Sequence, residues 1–541
     1  VTNISGAKTT LTVTNVNETS HTFTVGGQVV IMQMQDDVIG TNTTNVSTFG
    51  DVGSIANAGK YEIATISGRS PAAGTPTTIT FSSGLVNNFN SGTNSSVQII
   101  TLRNLGANYT TTANITGLAW NGNVGGVIAI TVTNTLTLNN SITADAIGFR
   151  KGNINSTGYE SGCNPALYIT ATNPTRQAFK GEGIYKSTDA SFVNARGKIL
   201  NGGGGGNDDN GGGGGGGNYT AGGTGGHGWT CAAAANNSGG LGGIALSPYI
   251  TANRIFMGGG GGGGQQNNGL GTNGGNGGGI ILVKANTIQT STVCGSAIKI
   301  SANGETTTNS GNDGAGGAGA GGSIVLQVSN YSVTAACPLT ISSNGGNGGS
   351  VGNAGAHGGG AGGGQGAVIF SSTQPTVNIT TTTNNGTGGT NSSAGGSSSA
   401  GSGGGVSNSG VVGSSAGPLP VELILFDGVS EGNYNSIYWK SAVETNFRHY
   451  ELESSEDGVN FNKITTVNPI GNVSSSNDYN YLDFNPYSPI TYYRLKMVDL
   501  DYTFEYSNII SIENGINKTG TLVVYPNPAS NYLHVFSGSS Q

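Results

Sequence analysis

The residues that could carry chemistry are few and scattered. Five histidines are present, His21, His227, His357, His449 and His534. A catalytic imidazole needs a carboxylate partner and a rigid frame. His227 stands in Gly225-Gly226-His227-Gly228-Trp229 and His357 lies among glycines, so both read as structural. Two loops are rich in oxygen ligands, Asn207-Asp208-Asp209-Asn210 and Asn312-Asp313. Such loops can hold Ca²⁺, but the spacing fits neither the EF-hand nor the Gly/Asp nonapeptide, and no metal is expected. Asp36-Asp37 follows a strand and reads as a turn. No glycine run is followed by Lys-Ser/Thr, the pair with which a phosphate-binding loop grips its nucleotide, so nucleotide binding is set aside and no cofactor is expected.

The cysteines are Cys163, Cys231, Cys294 and Cys337. None forms a Cys-x-x-Cys pair, which argues against zinc and thioredoxin-type chemistry. Four cysteines in a chain of secreted character allow two disulfides in three connectivities. Spacing favours one of them. Apolar strands led by glycine begin at 280, 323 and 367, steps of 43 and 44 residues, and Cys294 and Cys337 each fall 14 residues after the start of their own copy. Equivalent positions on stacked strands lie about 4.8 Å apart, within disulfide reach. The expected bridges are Cys294–Cys337 on that register and Cys163–Cys231 by elimination.

That repeat organises residues 121–385. Each copy has a glycine pair, an apolar strand, a Thr/Asn/Ser stretch, a second strand and a glycine-rich excursion. Gly125-Gly126 leads into Val127, Gly278-Gly279 into Ile280, and Gly321-Gly322 into Ser323. A unit whose strands find partners only on the next copy is the mark of a β-solenoid. Before it, runs at 22–25, 28–34, 61–67, 77–81 and 97–102 are rich in Val, Ile, Thr and Tyr and bounded by turn residues. They predict an N-terminal β-domain over 1–120.

The excursions include 202–206, 211–217, 258–264 and 314–322. Between 201 and 418 the only charged residues are Asp208, Asp209, Arg254, Lys284, Lys299, Glu305 and Asp313. Solvated disorder is usually kept soluble by charge, and these runs have almost none. Ordered glycine must place every N–H and C=O on a partner. Extended threefold helices, which make no internal hydrogen bonds, could do so by lateral packing of the polyglycine II type. The alternative is a set of plain flexible loops.

Composition agrees with an all-β chain. Of 541 residues only 9% are charged, 99 are glycine, and the net charge is -7. Helical periodicity is absent, and no apolar run reaches the length of a membrane-spanning helix. No basic patch offers itself to nucleic acid. The chain begins at Val1 without a signal-peptide core, which implies a removed leader or a fragment.

Residues 386–418 are rich in Gly, Ser and Asn and end at Pro418-Leu419-Pro420, the composition of a linker. Charge and aromatics then return, and seven short strands at regular spacing over 419–514 predict a β-sandwich with Trp439 in its core. Several motifs here carry a resemblance. They are Leu419-Pro420-Val421-Glu422-Leu423, Tyr438-Trp439-Lys440-Ser441-Ala442-Val443-Glu444-Thr445-Asn446, Tyr450-Glu451-Leu452-Glu453-Ser454-Ser455-Glu456-Asp457-Gly458, and Tyr492-Tyr493-Arg494-Leu495-Lys496-Met497-Val498-Asp499. The segment resembles the fibronectin type III-like module that precedes type IX sorting signals. Tyr525-Pro526-Asn527-Pro528, within Val524 to Asn531, is similar to the opening of the type A sorting domain, which fills 515–541 and in that family continues further. The resemblance covers about a quarter of the chain. It implies export by the type IX secretion machinery and an extracellular or outer cell-surface location; it says nothing of what the passenger does.

The passenger also looks like large glycine-rich surface proteins with this tail. It is expected to be a structural or adhesive surface component, or an extracellular fibre subunit, with partners among its own copies or surface glycans. A glycan-binding module is the alternative, and a β-helix glycan-cleaving enzyme a weaker one. Hydrolysis of glycans needs paired carboxylates, and 201–385 holds three Asp and one Glu; the chain is read as no enzyme. Residues 145–198 are richer in charge and are where a site would lie.

Overall fold

The computed structural model describes residues 1–19, 21–39, 43–51, 54–156, 158, 163–170, 176–229, 231, 237–292, 294, 297–352, 357–391, 410–412, 423–441, 447–470, 477–499, 504–514, 522–525 and 534–537. Among them the regular elements are β-strands and two single-turn 3₁₀ segments, and the fold is all-β. Two compact units are present, Val1–Ala416 and Gly417–Gln541.

The apolar alternation near the N-terminus builds a six-stranded antiparallel sheet. Its spatial order is Asn3–Ile4, Thr10–Thr12, Thr78–Phe81, Tyr61–Ser70, Gln28–Gln35 and Ser96–Thr101. Along Gln28–Gln35, Val29 and Ile31 face one core with Leu11, Ile66 and Ile79, while Val30, Met32 and Met34 face another. A strand covered on both faces reads as a continuous apolar run. Residues 22–25, expected as a strand, form none. The Phe23 amide is taken by the Glu18 carboxylate at 2.7 Å and the Thr24 amide by the Thr22 carbonyl at 3.1 Å, so no ladder is left to join.

The repeat forms two parallel sheets. One stacks Arg103–Asn104, Val127–Leu138, Ile280–Thr290, Ser323–Ser332, Ala367–Phe370 and Val411–Val412; the other stacks Ile115–Thr116, Ile142–Thr143, Ile298–Ser301, Leu339–Ser342 and Ile379–Thr382. Val127 pairs with Ile280, Ile280 with Ser323, and Ser323 with Ala367. Ile281, Val283, Ile324, Leu326, Val368 and Phe370 point between the sheets against Ile298, Ile300, Leu339 and Ile341. Their neighbours Ile280, Leu282, Val325 and Ile369 point outward into the core shared with Met32, Phe49 and Phe256. The stack begins at Arg103, ahead of the boundary at 120 suggested by composition, because Asn108–Thr110 and Ile115–Thr116 already pair in parallel with the next coil. It also runs past 385, since Gly386 and Gly389 donate to the carbonyls of Gly363 and Gly360. Most of the expected linker, 392–409 and 413–418, lies outside the described residues.

The second unit is a pair of antiparallel sheets. Leu423–Ser430, Asn435–Ser441 and Asn477–Asp483 form one; Asn462–Val467, Phe447–Ser455, Ile490–Asp499, Phe504–Tyr506 and Ile510–Glu513 form the other. The last of the seven strands expected from sequence, over 505–512, is split into Phe504–Tyr506 and Ile510–Glu513. Ser507 accepts the Leu495 amide on its hydroxyl and returns its own amide to the Leu495 carbonyl, which replaces the regular ladder. Trp439 is 1% exposed, stacked on Tyr479 at 5.3 Å with Tyr450 edge-on at 5.4 Å. Leu522–Tyr525 pairs with His534–Ser537. Pro526, Asn527 and Pro528 of the motif at 525–528 lie outside the described residues.

Candidate functional site

The glycine runs are ordered, and their hydrogen bonds have a period of three. In 211–217, Gly212 and Gly215 donate to Gly226 and Gly223; Gly213 and Gly216 donate to Ala315 and Ala318; Gly214 and Gly217 donate to Gly204 and Asn201. The carbonyls follow the same rule. Those of 212 and 215 accept from Gly240 and Gly243, those of 213 and 216 from Ala361 and Gly364, and those of 214 and 217 from Gly262 and Gly259. One extended run therefore bonds to six neighbours, the lateral packing open to a threefold helix with no internal bonds. Glycine is required by proximity. A Cβ on Gly262 would overlap the Gly204 carbonyl, and one on Gly213 would overlap the Gly262 carbonyl.

At the bundle's solvent side, amides without a helix to bond find side chains instead. The Asn344 amide donates to Asn303 Oδ1 (2.8 Å) and the Asn384 amide to Asn344 Oδ1 (2.7 Å). Three residues on, the Asn347 amide donates to Thr306 Oγ1 (3.1 Å) and the Thr387 amide to Asn347 Oδ1 (2.9 Å). Three further on, Ser350 bonds Asn309 Oδ1 (2.9 Å) and Thr390 bonds Ser350 Oγ (3.0 Å). The Asn, Thr and Ser recurring at every third place are thus the edge chemistry of the bundle.

Both expected disulfides are formed, Cys163–Cys231 and Cys294–Cys337, each with Cα atoms 5.4 Å apart. An Asp209 carboxylate oxygen lies within 4.8 Å of the sulfurs of Cys163 and Cys231, which are bonded to each other and offer no thiolate. Asp208 accepts from Asn164 Nδ2 at 2.6 Å, and Asp313 accepts the Leu270 amide at 3.0 Å, so both serve as loop ties. Among the loop carbonyls, Arg254 serves as a clamp, donating to Ala58 O at 2.9 Å. His357 is 3% exposed, packed edge-on against Trp229, and burial lowers its pKa. His227 contacts its neighbour's carbonyl, Gly228 O, at 2.9 Å. His449 does have a carboxylate within reach, Glu451 at 3.6 Å, but Lys463 and Lys496 bind that carboxylate at 3.0 and 2.9 Å.

Five of the eleven charged residues of 145–198 line a cleft of about 650 Å³ in the first unit. Arg150, Lys151, Lys180, Glu182 and Lys186 line it with Trp120, Phe179 and Tyr185. Glu182 ion-pairs with the Arg150 guanidinium and accepts the Arg150 amide at 3.0 Å. Lys151 pairs with Glu305 at 3.0 Å. Lys180 turns inward to the Tyr168 carbonyl (2.7 Å) and over the Phe49 ring (4.2 Å), where burial holds its pKa well below the usual lysine range. Lys186 reaches Asn123 Oδ1 at 3.2 Å. Trp120 is 3% exposed and its indole N–H meets no acceptor among the described residues. Sequence reasoning located the charged segment but not this cleft, since its walls come from stretches as far apart as Gln35, Trp120, Arg150, Glu182 and Asn276.

No family model matches the chain, and no curated protein matches it. Among solved structures it is similar to a beta-1,2-glucanase from Parabacteroides distasonis, with 19% identity over 18% of this chain and 12% of that one and a TM-score of 0.13. A likeness that slight carries no argument. Among the described residues, no helix is long and apolar enough to cross a membrane.

Proposed function

We propose that the chain is a structural and adhesive component of the outer cell surface, delivered by the type IX secretion machinery. The observation that carries this reading is the glycine bundle. It is a large, almost uncharged, hydrogen-bonded body that buries backbone where an enzyme would place carboxylates. Its side chains facing solvent are amides and hydroxyls in register. Two disulfides fit an oxidising compartment. The motifs at 438–446, 450–458, 492–499 and 525–528 support the export route. Regular edges of this kind also suit head-to-tail association into a fibre.

The test is to express the chain in a host that has type IX secretion, with and without 419–541. Protease added to whole cells is expected to cleave the intact chain and to spare the truncated one. Equal protection of both forms would overturn the export route. Electron microscopy of released material then separates fibres from single molecules.

A further inference from the structure

The geometry points to the cleft around Arg150 as a binding site for a carboxylated polysaccharide, a chain of uronate sugars. This deepens the adhesive reading and rests on it. Four of the chain's 20 Lys and Arg line this one cleft, against a single lining carboxylate, Glu182. In all of 201–418 there are three basic residues, Arg254, Lys284 and Lys299. The cations are not equivalent. Lys180 is turned to the interior and Lys151 is held by Glu305. Arg150 has half its side chain in solvent, and Lys186 is half-buried with a neutral partner. Glu182 holds one edge of the Arg150 guanidinium, which leaves the remaining N–H donors of the planar fork for a second carboxylate.

The rest of the cleft suits a sugar ring. Phe179 is 39% exposed and offers an apolar face to the C–H side of a pyranose. The exposed Asn153 side chain is at the rim. Trp120, itself buried, closes the wall behind them. A neutral glycan would bring no carboxylate to Lys186 or to the edge of the Arg150 guanidinium that Glu182 does not hold, and a nucleic acid would need a longer basic track.

Affinity electrophoresis of the full chain in gels containing polygalacturonate tests this, with dextran and heparin gels in parallel. Retardation by polygalacturonate and not by dextran is expected. The Arg150→Ala/Lys186→Ala pair is expected to weaken it at least about tenfold, the scale of a lost hydrogen bond between charged groups. Where Arg150→Ala disturbs Glu182 and folding, Lys186→Ala and Phe179→Ala, checked for an unchanged melting curve, decide alone. The proposal is overturned by no retardation in polygalacturonate, by equal retardation in dextran, by retardation in heparin only, or by folded variants that bind like the parent. Whole-cell protease access is read on the same samples. A surface-displayed chain that ignores uronate sinks the ligand and leaves the adhesive reading standing; a chain never displayed sinks the adhesive reading instead.

Discussion

The glycine bundle and the C-terminal sandwich solve the same problem with opposite materials. In the sandwich, Trp439, Tyr450, Leu452, Tyr493 and Leu495 fill the space between two sheets. Each fully buried side chain of that size contributes roughly 1.5–3 kcal/mol. In the bundle there is little to bury but backbone and a few small side chains such as Ala315, Ala318 and Ala361. Each amide bond to a neighbouring run adds a net ~0.5–1.5 kcal/mol, while glycine gives up about 0.5–1 kcal/mol more backbone entropy than alanine on ordering. Fixing the backbone of any residue already costs about 1–2 kcal/mol, so the bonds alone leave no surplus. The bundle therefore depends on what flanks it: the Ile, Val and Leu wedge between the parallel sheets and the bridges at Cys163–Cys231 and Cys294–Cys337. A side-chain core tolerates imperfect spacing, because rotamers adjust. A backbone core does not, because a carbonyl cannot move aside without breaking its own bonds.

The sharpest way to break this contrast is to add one side chain. Gly262→Val places a branched group where the Gly204 carbonyl stands. The first unit is expected to lose more than about 4 kcal/mol, beyond the usual range for a point change, and to fail to fold in solubility and circular-dichroism assays. Gly6→Ala, with nothing within 4 Å of the added Cβ, is the control and should stay within about 0.5 kcal/mol. A folded Gly262→Val protein would show that the run is a yielding loop. Amide exchange sharpens the same point. The amides of 212–217 are expected to exchange as slowly as those of Ile280–Thr290, whereas a flexible run would exchange at the rate of an unstructured peptide.

In the sandwich the corresponding change is Trp439→Ala, expected to cost about 3–5 kcal/mol. Exchange across 212–217 should not change, since the two compact units have separate cores. The disulfides come next. Replacing Cys294 and Cys337 by Ala is expected to destabilise the first unit by about 2–4 kcal/mol, read by urea titration. The bridge closes a separation of 43 residues, one coil of the stack, so its loss should be felt in the parallel sheets and not in the sandwich. Equal loss in both units would refute the division.

Much of this was legible in the sequence where physics is local. The starts at 280, 323 and 367 are paired positions in the stack, and the 14-residue offset of Cys294 and Cys337 located their bridge. The lack of charge in the glycine runs pointed to packing, because solvated coils need charge. Several features were not legible. The first coil, at Arg103, has strands of two and three residues with no glycine pair before them. The Glu18 carboxylate removed the 22–25 strand through a contact no propensity encodes. The partners of each glycine, and the convergence of 119–122, 148–153, 179–187 and 276 on one cleft, depend on how long excursions return. Repeated identical residues carry no address, so sequence could predict that glycines pack but not which carbonyl each one meets.

The smallest expected effect concerns charge, which the bundle almost lacks and the sandwich has. On the second sheet of the sandwich, Glu451 is hydrogen-bonded by Lys496 and Lys463, with His449 at 3.6 Å. Burial raises its pKa, but the two lysines outweigh that and pull the carboxyl down to about 2. A carboxyl with a lowered pKa in the folded state binds its proton more tightly when unfolded. Its stabilisation is therefore present above the ordinary value of 4.5 and is lost as pH falls towards 2. The urea midpoint of the second unit, followed by limited proteolysis of peptides from 447–499, should decline across that window. Glu451→Gln should flatten the decline and slightly lower the midpoint at pH 7, since partly exposed ion pairs are worth about 1 kcal/mol or less. Glu305, beside the glycine runs, has one lysine partner, Lys151 at 3.0 Å, where Glu451 has two. The bundle's midpoint should therefore move less over the same range. If it moved more, charge and not backbone packing would be holding the glycines together.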